Sequence, residues 1–191
     1  MIRANLPDHV FLEDSMKPIH VVLTGPRAVG KSTIGRSVAR QLDLDFIDLD
    51  EAVLDRFEQP TVSEVWKTHG ESVWRDMECS VLHELLDASP VVLALGGGVP
   101  TIPPAAGDLN RARRAGAAVV IWLQADPVEL ASRLEASPGD RPSLTGKTPA
   151  EEIAEVCRAR ASSYEAVSDL VIDVGSMDPK QAMTAVLDAI N

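Results

Sequence analysis

Short apolar runs alternate with longer amphipathic segments along most of the chain. The amphipathic segments have helical periodicity, and three of them open with helix-start signals, the Asp-Pro pairs at Asp126 and Asp178 and the capping box that begins at Thr148. The apolar runs are rich in β-branched residues and nearly continuous in apolar character, as in strands that are covered on both faces. They span residues 20–23, 46–49, 91–95, 118–123 and 170–174. This alternation predicts an α/β fold of three layers, with a parallel sheet between two layers of helices.

The length and composition restrict what the whole chain can be. A chain of 191 residues can bury one substantial core, so we expect a single domain over residues 18–191 and a flexible tail over residues 1–17, with Met1 or Met16 as the natural start. The net charge of -11 repels phosphate backbones and disfavours nucleic-acid binding. The first residues lack a signal-peptide pattern, and no run approaches membrane-spanning length. Cys79 and Cys157 have no companion at metal-ligand spacing. We therefore expect a cytoplasmic monomer that contacts neither nucleic acid nor membrane.

The segment GPRAVGKS, residues 25–32, is a nucleotide-binding motif in its proper context. It matches G-x-x-x-x-G-K-[S/T], follows an apolar strand directly and opens a helical segment. In such a loop the backbone N–H groups surround the phosphates, the lysine neutralises their charge, and the serine hydroxyl ligates Mg²⁺. A chance Gly-Lys-Ser turn is the alternative. The motif predicts that a nucleoside triphosphate is bound by Ala28, Val29, Gly30, Lys31, Ser32 and Thr33.

Two aspartates follow at the end of the next predicted strand, in the segment FIDLD. Asp48 and Asp50 are two residues apart, so on a strand they share one side, at the carboxyl end where open α/β sheets bind ligands. One carboxylate can hold the water shell of a metal and the other can contact a substrate hydroxyl. A pair of turn-forming aspartates is the alternative interpretation.

Two further segments are candidates for a substrate site. In WRDMECSVLHELL the apolar side is predicted to consist of Trp74, Met77, Val81 and Leu85, and Arg75 shares a face with Glu78, where a surface salt bridge is the simpler explanation. In VVLALGGGVP three successive glycines at a strand end allow close backbone approach, although a tight turn is again possible. A long loop rich in proline, glycine and charge, residues 135–149, joins two helices and is typical of a functional loop.

These motifs together resemble the shikimate kinase family. The P-loop, FIDLD, WRDME, LGGGV, RPSL and RARASSYEAVSDLVIDV occur in the family's order and at close to its spacing, over about residues 18–191. The resemblance implies ATP-dependent phosphorylation of the 3-hydroxyl of shikimate, a step towards chorismate and the aromatic amino acids, with Mg²⁺ as cofactor. It also implies a P-loop kinase fold with a five-stranded parallel sheet in the order 2-3-1-4-5 and a mobile lid at about residues 136–149.

The resemblance also implies a role for each matching residue. Asp50 contacts the reacting hydroxyl, Lys31 and the lid residue Arg141 act on the transferring phosphate, and Asp48 holds Mg²⁺ through water together with Ser32. The substrate carboxylate is gripped by the two arginines of the helical motifs. The residues implied in substrate binding are Asp50, Arg75, Gly96, Gly97, Gly98 and Arg160.

The chain departs from the family's usual pattern at a few positions. Ala28 stands where many members have glycine, Arg27 faces the substrate side, and Trp66 and Trp74 stand where phenylalanines are common. These departures bear on the substrate more than on the reaction. The alternatives are therefore a P-loop kinase of another small hydroxy acid or cyclitol, such as gluconate, and a non-catalytic nucleotide-binding paralogue. A GTPase is disfavoured because the chain has no Asn-Lys-x-Asp motif.

Overall fold

The sheet that the apolar runs predict lies at the centre of the fold. A computed structural model of the protein describes residues 3–4, 19–136 and 148–190. Each predicted strand is present with both ends within one residue of its predicted bounds. The inner strands at residues 20–24 and 92–94 are buried throughout, as their continuous apolar runs predict, whereas the edge strand at residues 46–48 is only partly buried. The strands are β1 (Arg3–Ala4), β2 (His20–Thr24), β3 (Phe46–Asp48), β4 (Val92–Ala94), β5 (Ala118–Gln124) and β6 (Leu170–Asp173).

The strand order confirms the predicted topology. The sheet runs β1-β6-β5-β2-β4-β3, and every pairing among β2 to β6 is parallel. Counted from His20, the five parallel strands therefore have the order 2-3-1-4-5. The two-residue strand Arg3–Ala4 pairs antiparallel with Leu170 and Val171 at the edge. The rest of the predicted tail at residues 1–17 lies outside the described residues.

Eight helices and one short 3₁₀ helix connect the strands within the described ranges. Several start where the sequence predicts: Asp126 Oδ1 accepts the N–H of Val128 at 2.8 Å, and Thr148 forms a reciprocal capping box with Glu151. No helix in residues 19–136 or 148–190 is both long and apolar enough to cross a membrane. The helices are α1 (Lys31–Leu42), α2 (Leu49–Leu54), α3 (Val62–His69), α4 (Glu71–Leu86), η1 (Val99–Thr101), α5 (Pro103–Arg114), α6 (Pro127–Ala136), α7 (Pro149–Val167) and α8 (Pro179–Ile190).

Two hydrophobic cores flank the sheet and account for the three layers. Alternate residues of β2 point into different cores: Val22 packs with α2 to α5, whereas Val21 and Leu23 pack with α1, α6 and α8. This alternation follows from the two-residue repeat of a strand. The carboxyl ends of the parallel strands all open at one edge, and the candidate site forms there.

Candidate active site

The P-loop turns from β2 into α1 through three residues in left-handed or related conformations. Gly25 has φ +139°, Ala28 +61° and Gly30 +102°. A Cβ at Gly25 would collide with the carbonyl oxygen of Leu123, so this position requires glycine. Ala28 adopts the left-handed angle in spite of its Cβ, which places it among the strained non-glycine positions. The loop thus keeps the backbone path of a phosphate cradle without a glycine at residue 28.

The Lys31 side chain bends back over this loop. Its Nζ donates to the carbonyl oxygens of Gly25 at 2.9 Å and Pro26 at 2.8 Å. The ammonium charge is therefore held at the mouth of the loop, where the predicted phosphates belong. A flexible lysine can exchange these neutral carbonyl partners for anionic phosphate oxygens, because a charge-assisted hydrogen bond is the stronger one.

Ser32 and Asp48 meet as the predicted metal pair. Ser32 Oγ donates to Asp48 Oδ2 at 2.6 Å, and the other carboxylate oxygen of Asp48 accepts the backbone N–H of Asp50 at 3.1 Å. Asp48 is the N-cap of α2, so the turn-forming interpretation is also correct for this residue. A hydroxyl and a carboxylate oxygen side by side suit Mg²⁺, which keeps most of its waters and takes few protein ligands. The donor set at this edge therefore fits the cofactor that the sequence predicts.

Asp50 faces the triple-glycine segment from the first turn of α2. The strand argument for its orientation is wrong, because β3 ends at Asp48 and Asp50 is already helical. Its position next to the glycines is nevertheless clear. A Cβ at Gly96 would lie 2.6 Å from Asp50 Oδ1 and 3.0 Å from Glu78 Oε1. A side chain at residue 96 would therefore displace the two carboxylates that converge on this part of the backbone.

Arg75 is locked between two glutamates, and one of them is completely buried. Its Nη1 donates to Glu78 at 2.8 Å, and its Nη2 donates to Glu71 at the same distance. The exposed fraction of the side chain is 18% for Arg75, 0% for Glu78 and 51% for Glu71. The pair with Glu71 is therefore a surface salt bridge, as the simpler explanation predicts, and the pair with Glu78 is buried. Burial lowers the pKa of Arg75, but the two carboxylates outweigh it and the net shift is upward. A Cβ at Gly98 would lie 2.8 Å from Arg75 Nη1.

Arg160 reaches the same segment from α7. Its Nη1 donates to the carbonyl oxygen of Gly97 at 3.0 Å, and the hydroxyl of Tyr164 donates to the same oxygen at 2.7 Å. A Cβ at Gly97 would lie 3.3 Å from the carbonyl oxygen of Gly25 in the P-loop. The glycines therefore join the P-loop, α2, α4 and α7 at one point, with two carboxylates and two arginines around them.

Comparison with known proteins agrees with this geometry. The family model for shikimate kinase matches residues 27–191. The chain belongs to the shikimate kinase family. It is 36% identical to a shikimate kinase of Rhodopirellula baltica over 92% of both chains, and 35% identical to one of Gloeobacter violaceus over 87% of this chain and 90% of that one. A solved shikimate kinase of Acinetobacter baumannii in complex with shikimate is similar to this fold with a TM-score of 0.80 at 27% identity, covering 91% of this chain and 93% of that one.

The site of this shikimate kinase family member includes residues that the sequence patterns missed. The predicted apolar side of α4 is confirmed, since Met77 and Leu85 are partly buried and pack against the core that contains Trp74 and Val81. The pattern missed Glu78, which is among the fully buried residues. A signal was present, since Glu78 follows the buried Trp74 by four residues and so must lie on the same face. Tyr164 follows Arg160 by the same interval on α7.

The two tryptophans have different positions in the structure. Trp74 is completely buried and stacks on Phe57 with ring centroids 6.1 Å apart, so it belongs to the core. Trp66 lies beside the site, with the Arg75 guanidinium 5.7 Å from its ring centroid. Arg141 and most of the predicted lid, residues 137–147, lie outside the described residues.

Proposed function

We propose that this protein transfers the terminal phosphoryl group of ATP to the 3-hydroxyl of shikimate, forming shikimate 3-phosphate for chorismate and aromatic amino acid biosynthesis. The observation that carries the proposal is the convergence at residues 96–98 of Asp50, Arg160 and the Arg75–Glu78 pair beside a P-loop. A carboxylate substrate that bears a reactive hydroxyl is complementary to that set of charges. Family membership supports the same reaction.

In this mechanism the arginines bind and orient the acceptor. Arg75 and Arg160 approach the triple-glycine segment from different helices, so together they can hold a carboxylate from two directions. Fixing the carboxylate sets the distance from the acceptor hydroxyl to the phosphates, and positioning is the larger part of catalysis in phosphoryl transfer. The missing Cβ atoms at residues 96 and 98 let Asp50 and Arg75 come close to the backbone of this segment, where the acceptor is proposed to bind.

Asp50 accepts a hydrogen bond from the attacking hydroxyl and orients its lone pair towards the phosphorus. The transition state of phosphoryl transfer is loose, so little base strength is needed and the proton can move to Asp50 late. Lys31 leaves its carbonyl partners and neutralises charge on the phosphates. Arg141, in the segment RPSL, is proposed to stabilise the transferring group from the lid at residues 136–149.

Mg²⁺ is proposed to be held by Ser32 Oγ and, through water, by Asp48. When bound it offsets the negative charge of the phosphate oxygens. The remaining P-loop residues, Ala28, Val29, Gly30 and Thr33, are proposed to contact the phosphates. A cytoplasmic monomer is part of the proposal, and ATP as co-substrate favours the cytoplasmic location.

A coupled ADP-release assay with Mg-ATP tests the reaction. We expect ADP release with shikimate and little with quinate, gluconate or no acceptor, with ³¹P NMR showing a phosphate ester at the 3-hydroxyl. Activity with gluconate alone, or no activity with any of the acceptors, would overturn the proposal.

The two aspartates allow a sharper test, because the mechanism gives them separate roles. Asp48→Asn should raise the Mg²⁺ concentration needed for half-maximal rate while shikimate affinity stays close to wild type. Asp50→Asn should lose most turnover and bind shikimate more weakly, and added Mg²⁺ should not restore it. Identical Mg²⁺ and shikimate titrations for the two variants would show that this division of roles is wrong.

A further inference from the structure

Tyr164 is a buried polar residue that the mechanism has not used. It is the only tyrosine in the chain, it is completely buried, and it lies on α7 four residues after Arg160. Its ring lies against Trp122, with ring centroids 5.6 Å apart. Burial is the main cause that raises the pKa of the hydroxyl to about 12, so the group is a neutral hydrogen-bond donor at every working pH.

The hydroxyl donates to an oxygen that a substrate-binding arginine also uses. The carbonyl oxygen of Gly97 accepts Tyr164 at 2.7 Å and Arg160 Nη1 at 3.0 Å. A carbonyl oxygen has two lone pairs, so these donors together satisfy it. The shorter of the two hydrogen bonds comes from the buried Tyr164. The longer one comes from Arg160, which is partly exposed.

We propose that Tyr164 is a positioning residue for shikimate recognition, acting through the Gly97 carbonyl on Arg160. The proposal rests on the function proposed above. Tyr164 holds the carbonyl against α7 and also forms a hydrogen bond with the Arg160 side chain, so one side of the guanidinium is fixed by the protein. The guanidinium then presents its remaining edge to the substrate carboxylate in a fixed orientation, which suits a bidentate pair.

Removing the Tyr164 hydroxyl leaves the Gly97 carbonyl oxygen with one fewer hydrogen-bond donor. Without Tyr164 as donor, Gly97 depends on Arg160 alone, and the guanidinium competes between the backbone oxygen and the substrate. The segment around Gly97 then loses the shorter of its two side-chain hydrogen bonds to α7. Because one net hydrogen bond is at stake, Tyr164→Phe should raise KM for shikimate about 3- to 10-fold. The KM for ATP and kcat should stay within about 2-fold, since Arg160 does not touch the transferring group.

Thr101→Val is a matched control on the neighbouring glycine. Thr101 Oγ1 donates to the carbonyl oxygen of Gly98 at 2.7 Å, so this variant also removes a hydroxyl donor from the glycine segment. That carbonyl keeps the backbone N–H of Thr101 as a donor at 3.0 Å and is not shared with Arg160. We expect its KM for shikimate to match wild type. If both variants lose a similar amount of unfolding free energy but only Tyr164→Phe changes KM for shikimate, the KM change is due to positioning of Arg160 and not to a general loss of stability.

The closing experiment is a double-mutant cycle on steady-state kinetics with shikimate and ATP. If Tyr164 acts through Arg160, then Tyr164→Phe introduced into Arg160→Gln should change KM for shikimate by less than about 2-fold. An unchanged KM in the single variant, or the same multiplicative change in both backgrounds, would overturn the proposal while leaving the function intact. A wild-type enzyme without shikimate activity would overturn the function itself and this role with it.

Discussion

The buried pair between Arg75 and Glu78 predicts an asymmetric response to two identical substitutions. Arg75 contacts Glu78 and Glu71 at the same distance of 2.8 Å, but the exposed fractions of these glutamates are 0% and 51%. Glu78→Gln and Glu71→Gln each remove one negative charge with almost no change of shape. Glu71 accepts two N–H groups of Arg75, from Nε at 3.1 Å and Nη2 at 2.8 Å, and Glu78 accepts one. The hydrogen bonds alone would favour the larger effect at Glu71, whereas the difference in burial favours the larger effect at Glu78.

The magnitudes follow from that difference. Removing one partner of a buried pair costs about 3–5 kcal/mol, because the other charge stays buried. Glutamine keeps one acceptor oxygen, and Arg75 keeps Glu71, so we expect Glu78→Gln to lower the free energy of unfolding by about 2–3 kcal/mol. An exposed pair contributes about 0.2–1 kcal/mol, so Glu71→Gln should lower it by less than about 1 kcal/mol.

Urea unfolding at neutral pH, followed by tryptophan fluorescence and repeated at low and high salt, measures both values. Salt should shrink the small Glu71 effect, because high ionic strength shortens the range of exposed charges to a few ångströms. The Glu78 effect should persist. Equal destabilisation by the two variants, or a Glu78 effect that disappears in salt, would refute the argument from burial.

Three further predictions concern other parts of the structure. Ala28→Gly should raise the free energy of unfolding by about 0.5–1 kcal/mol, because it relieves the left-handed backbone at φ +61°. As a control, Ala185→Gly in the regular helix α8 should lower the free energy of unfolding by about 1 kcal/mol. Urea titrations measure both values, and a change of the same sign in the two variants would contradict the prediction. Burial lowers the pKa of His20, whose Nδ1 accepts the N–H of Val91 at 3.3 Å. As the pH falls, the unfolded chain therefore binds a proton at residue 20 before the folded chain does, and the free energy of unfolding should decrease below about pH 6.5. In His20→Asn this decrease between pH 7 and 5 should be smaller. Parallel curves of unfolding free energy against pH for the variant and the wild type would show that His20 contributes nothing. Arg160→Leu should weaken shikimate binding by about 2–4 kcal/mol and leave ATP binding almost unchanged, which calorimetry measures. A variant with the shikimate affinity of the wild type would remove Arg160 from the site.

Local patterns were sufficient for much of the fold. Strand positions followed from continuous apolar runs, and helix starts followed from Asp126 and from the capping box at Thr148, because these signals act within a few residues. The P-loop was equally local, since its function needs a strand, a glycine-rich turn and a helix start in direct succession. The order of the strands came from resemblance to a family, because an apolar run does not specify its neighbours in the sheet.

The contacts of the site were decided by tertiary structure. Ser32 and Asp48 are 16 residues apart, and Arg160 and Gly97 are 63 apart, so no periodicity relates them. Their distances depend on how α1, α7 and the sheet pack.

The burial of Glu78 shows the same division most clearly. The sequence by itself put this glutamate three residues from Arg75 on a helix and made a surface pair the simpler expectation. Packing of α4 against α2, α3 and α5 turned that face inward. The same helix supplies a guanidinium 2.8 Å away, which compensates the buried charge. Helical spacing placed Glu78 on the face of Trp74, but how deeply that face is buried depends on the packing of the neighbouring helices.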